Sequence, residues 1–260
     1  MKKSLCFLLL SIPLFTLWFC TSSSTGQENE NSDPALPGVV KAGYKNVAIL
    51  ELFTSQGCSS CPAADRLLGT YTTKENIIAL SFHVDYWDHL GWKDPFSSKA
   101  FTERQNNYAS ANKSDVYTPQ IIINGQTEMV GSNESKIAAA LKKVLEQEPS
   151  ADISIKTVKP ENGQVSINFV AAGNTANSVL NIALVQKKAT TEIKAGENGG
   201  VTLTNYNVVR KFKTLNRINN GDNTTSIDMP ADADQKNMSV IVFLQDRRSN
   251  NISAADQKPL

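Results

Sequence analysis

Residues Val47 to Pro62, VAILELFTSQGCSSCP, constrain this chain more than any other stretch. Val47, Ile49, Leu50, Leu52 and Phe53 form a short apolar run of the kind that makes a buried strand. Gln56-Gly57 breaks it, and Pro62 suits the first turn of a helix, where its missing N–H is no loss. Ala63 to Leu68 continues that helix. Cys58 and Cys61 therefore sit at a helix N-terminus, whose partial positive charge favours thiolate, the reactive form of cysteine.

A C-x-x-C pair also serves as a structural disulfide or as half a zinc site. A strand before it and a helix after it favour thiol–disulfide exchange. The other two cysteines, Cys6 and Cys20, lie near the N-terminus, so a disulfide-stapled scaffold is excluded. With a formal charge of +1 and no Lys/Arg-rich run, nothing points to a nucleic-acid partner. The length accommodates two small domains.

Residues 1–20 have the make-up of an export signal: Met1-Lys2-Lys3 is basic, and Leu5 to Phe19 is apolar but short for a membrane span. Leu17-Trp18-Phe19-Cys20 resembles a bacterial lipoprotein signal, with Leu17 three positions before the cysteine. Phe19 departs from the small residue usual before it. Lipidation at Cys20, ordinary cleavage among Thr21 to Thr25, and an uncleaved anchor are the three outcomes. Each places the protein outside the cytoplasm, in the periplasm or cell envelope, where a disulfide persists. Residues 21–44 are mostly polar and are expected to form a flexible tether.

Residues 45–149 alternate strand and helix. Strands are expected at Val47–Phe53, Ile77–Val84, Pro119–Asn124 and Thr127–Val130, with Asn124-Gly125 as a hairpin turn. Helices are expected at Cys61–Tyr71, Ser97–Asn112 and Glu134–Gln147. The order β-α-β-α-β-β-α with a C-x-x-C after the first strand resembles the thioredoxin fold. Tyr117-Thr118-Pro119 adds to the likeness, because thioredoxin-like proteins place a cis-proline before the third strand, facing the cysteines. The resemblance implies that Thr118 and Pro119 hold a substrate segment. Glu51 to Pro62, His83-Val-Asp-Tyr-Trp-Asp88, Gly91-Trp92 and Gly196-Glu-Asn-Gly199 together resemble a bacterial secreted thioredoxin-like family catalogued as a domain of unknown function. That likeness runs from about Lys45 to the C-terminus and speaks to fold and compartment, not to substrate.

His83 to Asp94 leaves the second strand as a loop rich in aromatic and ionisable groups. At the C-terminal end of a parallel strand it would lie beside the thiols. Trp87 and Trp92 are candidates to shape a substrate groove, and Asp85, His83 or His89 to move a proton. The bland alternative is that these aromatics only pack on the domain edge.

Residues 150–260 change style. Ile153–Val158, Val165–Phe169, Leu180–Val185, Val208–Phe212 and Ser239–Leu244 are short strands separated by turn signals, as in a small antiparallel sandwich. Gly196 to Gly200 is a hairpin tip or a loop leaning on the thiols, through Glu197 and Asn198.

The sequence thus predicts an α/β thioredoxin-like domain followed by a β-rich domain, and an exported thiol–disulfide oxidoreductase. Cys58, the more exposed sulfur, exchanges with substrate and Cys61 resolves the mixed disulfide. The partners are protein or small-molecule thiols and disulfides, no cofactor or resident metal is required, and membrane contact is made only through an N-terminal lipid or anchor. Two alternatives stand beside it. One is a copper- or zinc-handling protein using Cys58, Cys61 and His83 or His89. The other is a redox-inactive binding module.

Overall fold

The computed structural model describes residues 44–260; the expected signal segment, the tether and Cys20 lie outside them. The first half runs β1 (Ala48–Thr54), α1 (Cys61–Tyr71), β2 (Ile77–His83), α2 (Lys99–Asn112), β3 (Gln120–Ile123), β4 (Thr127–Val130) and α3 (Glu134–Leu145). The second half is all strand: β5 (Ala151–Glu161), β6 (Gln164–Gly173), β7 (Ser178–Glu192), β8 (Thr202–Leu215), β9 (Gly221–Asp228), β10 (Met238–Asp246) and β11 (Ile252–Pro259).

Local chemistry accounts for the first half. Every residue of β1 and of β2 is buried, as expected of strands covered on both faces. They pair in parallel, Ala48 opposite Ile77 through Thr54 opposite His83. Asn124 and Gly125 both take positive φ, 46° and 70°, and turn β3 back into β4. The Asn133 side chain caps α3 by accepting from the Lys136 amide.

The second half departs from expectation. Instead of a separate sandwich, β7, β8, β10 and β11 extend the first sheet, giving eight strands in the order β11-β10-β7-β8-β2-β1-β3-β4. β8 joins β2 in parallel, Val208 beside Ser81. Only β5, β6 and β9 form a second sheet. The change of sequence style near residue 150 marks a change of element type, not a break in the sheet.

Strand alternation then divides the core. One face of the large sheet buries Ile49, Phe53, Leu80, Phe82, Val185 and Phe243 with Phe101 and Tyr108 of α2. The opposite face is shared. Leu50, Leu52 and Ala79 pack on α1 and α3, while Ile182, Leu184, Val240 and Val242 pack on the three-stranded sheet. The two-layer sandwich expected for the second half therefore exists, but one of its layers is the far end of the large sheet. Inside the α2 face lies a buried ion pair. Arg104 donates to both carboxylate oxygens of Glu51, at 2.6 and 2.9 Å, and its guanidinium lies 4.8–5.6 Å from the ring centres of Phe82, Tyr108, Phe212 and Phe243.

Candidate functional site around the Cys58–Cys61 disulfide

β1 delivers the chain to the end of the sheet, and a tight turn leads into α1. The Cys58 amide bonds the Ser55 carbonyl, and the Cys61 amide the Cys58 carbonyl. Cys58 and Cys61 are joined in a disulfide with Cα atoms 5.4 Å apart. Ser60 takes the N-cap position without capping through its side chain; its hydroxyl lies 3.3 Å from Cys58 Sγ instead. Cys58 was expected to be the open sulfur, yet it is only 1 % exposed, against 0 % for Cys61. The cover includes the β7–β8 loop, residues 193–201. Asn198 Nδ2 donates to the carbonyls of Gln56 and Cys58, at 2.8 and 2.9 Å, and the Ser59 amide donates to Glu197 at 3.0 Å.

Gln56, two residues before Cys58, ties this loop to the rest. Its amide nitrogen donates to Asp94, and its side-chain NH₂ donates to Thr191 and Asn205. Its side-chain oxygen accepts from Trp92 Nε1. All its polar groups are satisfied, so the turn before Cys58 is held from both the β2–α2 loop and the β7–β8 hairpin.

Asp65 lies one helical turn beyond Cys61, also buried. Burial pushes its carboxyl up to about 6, against smaller opposing effects of His83 and the hydrogen bond from Thr54. Thr54 donates to Oδ2, while Oδ1 has no partner among the described residues. His83 and Asp94 are paired nearby, Nδ1 to Oδ2 at 2.6 Å with both side chains fully buried. Burial opposes charge on His83, but the adjoining Asp94 carboxylate outweighs it and raises the imidazole, while Asp94 is held below the usual carboxylate range. His83 Nε2, Asn205 Nδ2 and Ser81 Oγ are likewise buried without partners among the described residues. Buried polar atoms without partners are unfavourable for stability and call for an explanation beyond packing.

A family model matches residues 49–245. The chain belongs to the family described as Protein of unknown function (DUF1223). The crystal structure of an Agrobacterium tumefaciens protein is similar, with 31% identity and a TM-score of 0.65, covering 83% of this chain and 95% of that one. A domain of the outer membrane lipoprotein Omp28 from Porphyromonas gingivalis is a distant match, 11% identical with a TM-score of 0.27, covering 42% of this chain and 93% of that one. No curated protein matches the chain.

The DUF1223 match takes in all the site residues expected from the sequence except Cys20. The Thr118–Pro119 bond is cis. Trp87 Nε1 donates to Thr118 Oγ1 at 2.8 Å, and a Cβ on Gly57 would lie 3.2 Å from Trp87 Cβ, so this ring bridges the turn before Cys58 and the Thr118 loop. Trp92, Glu197 and Asn198 also gather at the turn before and after Cys58. Asp85 is engaged elsewhere, accepting from Thr102 of α2 at 2.6 Å, and His89 is exposed. With His83 Nδ1 committed to Asp94, no cluster of three metal-ligating side chains forms among the described residues. Sequence reasoning missed Gln56, Asp65, Asp94 and Asn205. Only Asp65 carried a signal, as an acid four residues after Cys61 on the face that helical spacing buries.

Proposed function

We propose that this protein is an exported thiol–disulfide oxidoreductase built on a thioredoxin-like half, with the Cys58–Cys61 disulfide as its reacting group. The observation that carries the reading is that disulfide, closed across the mouth of α1 with the buried acid Asp65 one turn beyond it. The parallel β1–β2 pair flanked by antiparallel β3 and β4, and the cis bond before β3, support the thioredoxin-like part. The export part rests on residues 1–20. Among the described residues no helix is long and apolar enough to cross a membrane.

In the reductive half, a substrate thiolate attacks Cys58 Sγ. The Cys58–Cys61 bond breaks, its electron pair passes to Cys61 Sγ, and Asp65 in its acid form supplies a proton there. In the reverse sense the Asp65 carboxylate takes the proton from Cys61 as that sulfur attacks the mixed disulfide and releases the substrate thiol. An acid whose carboxyl titrates near 6 is suited to both directions at neutral pH. Thr118 and Pro119 would hold the substrate segment, with Trp87 fixing the Thr118 side chain.

The test is capture from envelope extracts. Cys61→Ser leaves the mixed disulfide unresolved, so exported partners should accumulate on Cys58, while Cys58→Ser should capture none. Equal absence of captured protein from both variants would remove the oxidoreductase reading.

A further inference from the structure

We propose that residues 193–201 form a lid over Cys58, and that the Glu197 carboxylate on it screens incoming thiols by charge, favouring cationic over anionic ones. This rests on Cys58–Cys61 being an exchanging disulfide. In-line attack on Cys58 Sγ comes from the side opposite Cys61, and a residue only 1 % exposed offers little room for it. Ser59 and Ser60 are themselves exposed, so the burial of Cys58 is not simply depth inside the fold.

The loop is a closed unit. Gly200 and Val201 are tied by backbone hydrogen bonds to Ile193, Val201 also to Asn198, and Gly199 to Gly196. It is latched to the disulfide turn by the two Asn198 hydrogen bonds and by Glu197 on Ser59. A side docks on the β2–α2 loop, where Gly196 has φ of +73° and a Cβ there would stand 3.1 Å from Trp92 Cβ. Gly200, at φ +84° with open space around it, gives the loop a point about which to swing.

Glu197 is the charge that an incoming thiol meets on the lid as it approaches Cys58. It is exposed, and the hydrogen bond from Ser59 keeps it ionised by lowering its carboxyl below the usual range. It forms no ion pair among the described residues. An uncompensated negative charge therefore sits on the amide next to Cys58.

The reaction screened is simple exchange. The incoming thiolate bonds to Cys58 Sγ as the disulfide breaks and its electron pair goes to Cys61 Sγ. A second thiolate then displaces Cys58, giving the oxidised substrate and the reduced pair. At about 6 Å in water, one unit charge alters the approach of another by about threefold in rate, so the cationic-to-anionic ratio changes about tenfold.

The oxidised protein is treated with cysteamine (cationic), 2-mercaptoethanol (neutral) and 3-mercaptopropionate (anionic) at low salt, and the appearance of protein thiols is timed by acid quenching, removal of the small thiol and alkylation, with rates corrected for thiolate fraction. Glu197→Gln should lower the cysteamine-to-mercaptopropionate ratio about tenfold, and Glu197→Lys should lower it further. In the wild type, salt should move the ratio towards one. Asn198→Ala should raise all three rates several-fold; Asn198→Leu keeps the volume if the alanine variant does not melt cooperatively. A ratio within twofold of wild type in both Glu197 variants overturns the charge screen, and unchanged rates in a folded Asn198 variant overturn the lid. Failure of partner capture in Cys61→Ser would instead strike at the oxidoreductase reading, since simple thiols report on access whether or not native partners exist.

Discussion

Asp65→Asn should make the protein more stable, and only above about pH 4. In the folded state the Asp65 carboxyl titrates near 6, against an ordinary value of 3.8. Below 3.8 both folded and unfolded chains carry the proton, and its position makes no difference. Between 3.8 and 6 the folded chain binds a proton that the unfolded chain has lost, so stability falls as pH rises. Above about 6 the loss is complete. The gap of roughly two pKa units is worth about 3 kcal/mol. Asparagine cannot ionise, so the variant escapes this loss. The stability difference between variant and wild type should therefore grow by about 3 kcal/mol from pH 3 to pH 7, or about 6–12 °C in Tm for a fold of this size. Urea denaturation of the two oxidised proteins at half-unit pH steps measures it. The contrast in pH removes any fixed gain or loss from the amide itself, which is the same at every pH; what remains is the titration of Asp65 with its smaller coupling to His83. Two parallel stability curves would refute the reasoning, since they would mean that Asp65 is not buried as a charge. The same variant should exchange thiols more slowly, so that the added stability accompanies lost activity.

Arg104→Met should destabilise the fold by about 3–5 kcal/mol, because it leaves the Glu51 carboxylate buried with its positive partner gone. Adding Glu51→Met should recover much of that loss in the same melting assay. Gly69→Ala ought to gain stability on helix propensity alone, by roughly 1 kcal/mol. Here the new Cβ would lie 2.6 Å from the Tyr206 ring, so a net loss of about 1–2 kcal/mol is expected, restored by Tyr206→Ala.

What the sequence disclosed follows how local each feature is. β1, β2 and the first two helices could be placed from apolar runs and breakers, because these residues are buried on faces their own periodicity defines. β9, with the sequence GDNTTSID, was not legible, since Ile227 is its only buried side chain. β11 was hidden in the same way, since two of its three buried residues are the small Ala254 and Ala255, one on each face of the sheet. The cysteines, Thr118-Pro119, Trp87, Glu197 and Asn198 could be named as parts of one site. Asp94 could not, and Asp65 only as an acid on the helix face that spacing buries. Their environments are set by Asn205 of β8 and His83 of β2, and no local pattern announces which distant strand will lie against a helix.

The parallel seam between β2 and β8 bears on how the chain can be divided. Ser81 finds its neighbour only at Val208, in the all-strand half. Until that strand arrives, β2 is an outer strand carrying the apolar sequence IIALSFH, long enough and sticky enough to recruit a neighbouring molecule. A fragment cut near residue 149 would keep the cysteines yet present that bare edge, and would also lack the hairpin that anchors Gln56. The first half is therefore not a module that can be excised or grafted. As a chain is made from its N-terminus, this edge waits for most of the remaining length before it is closed.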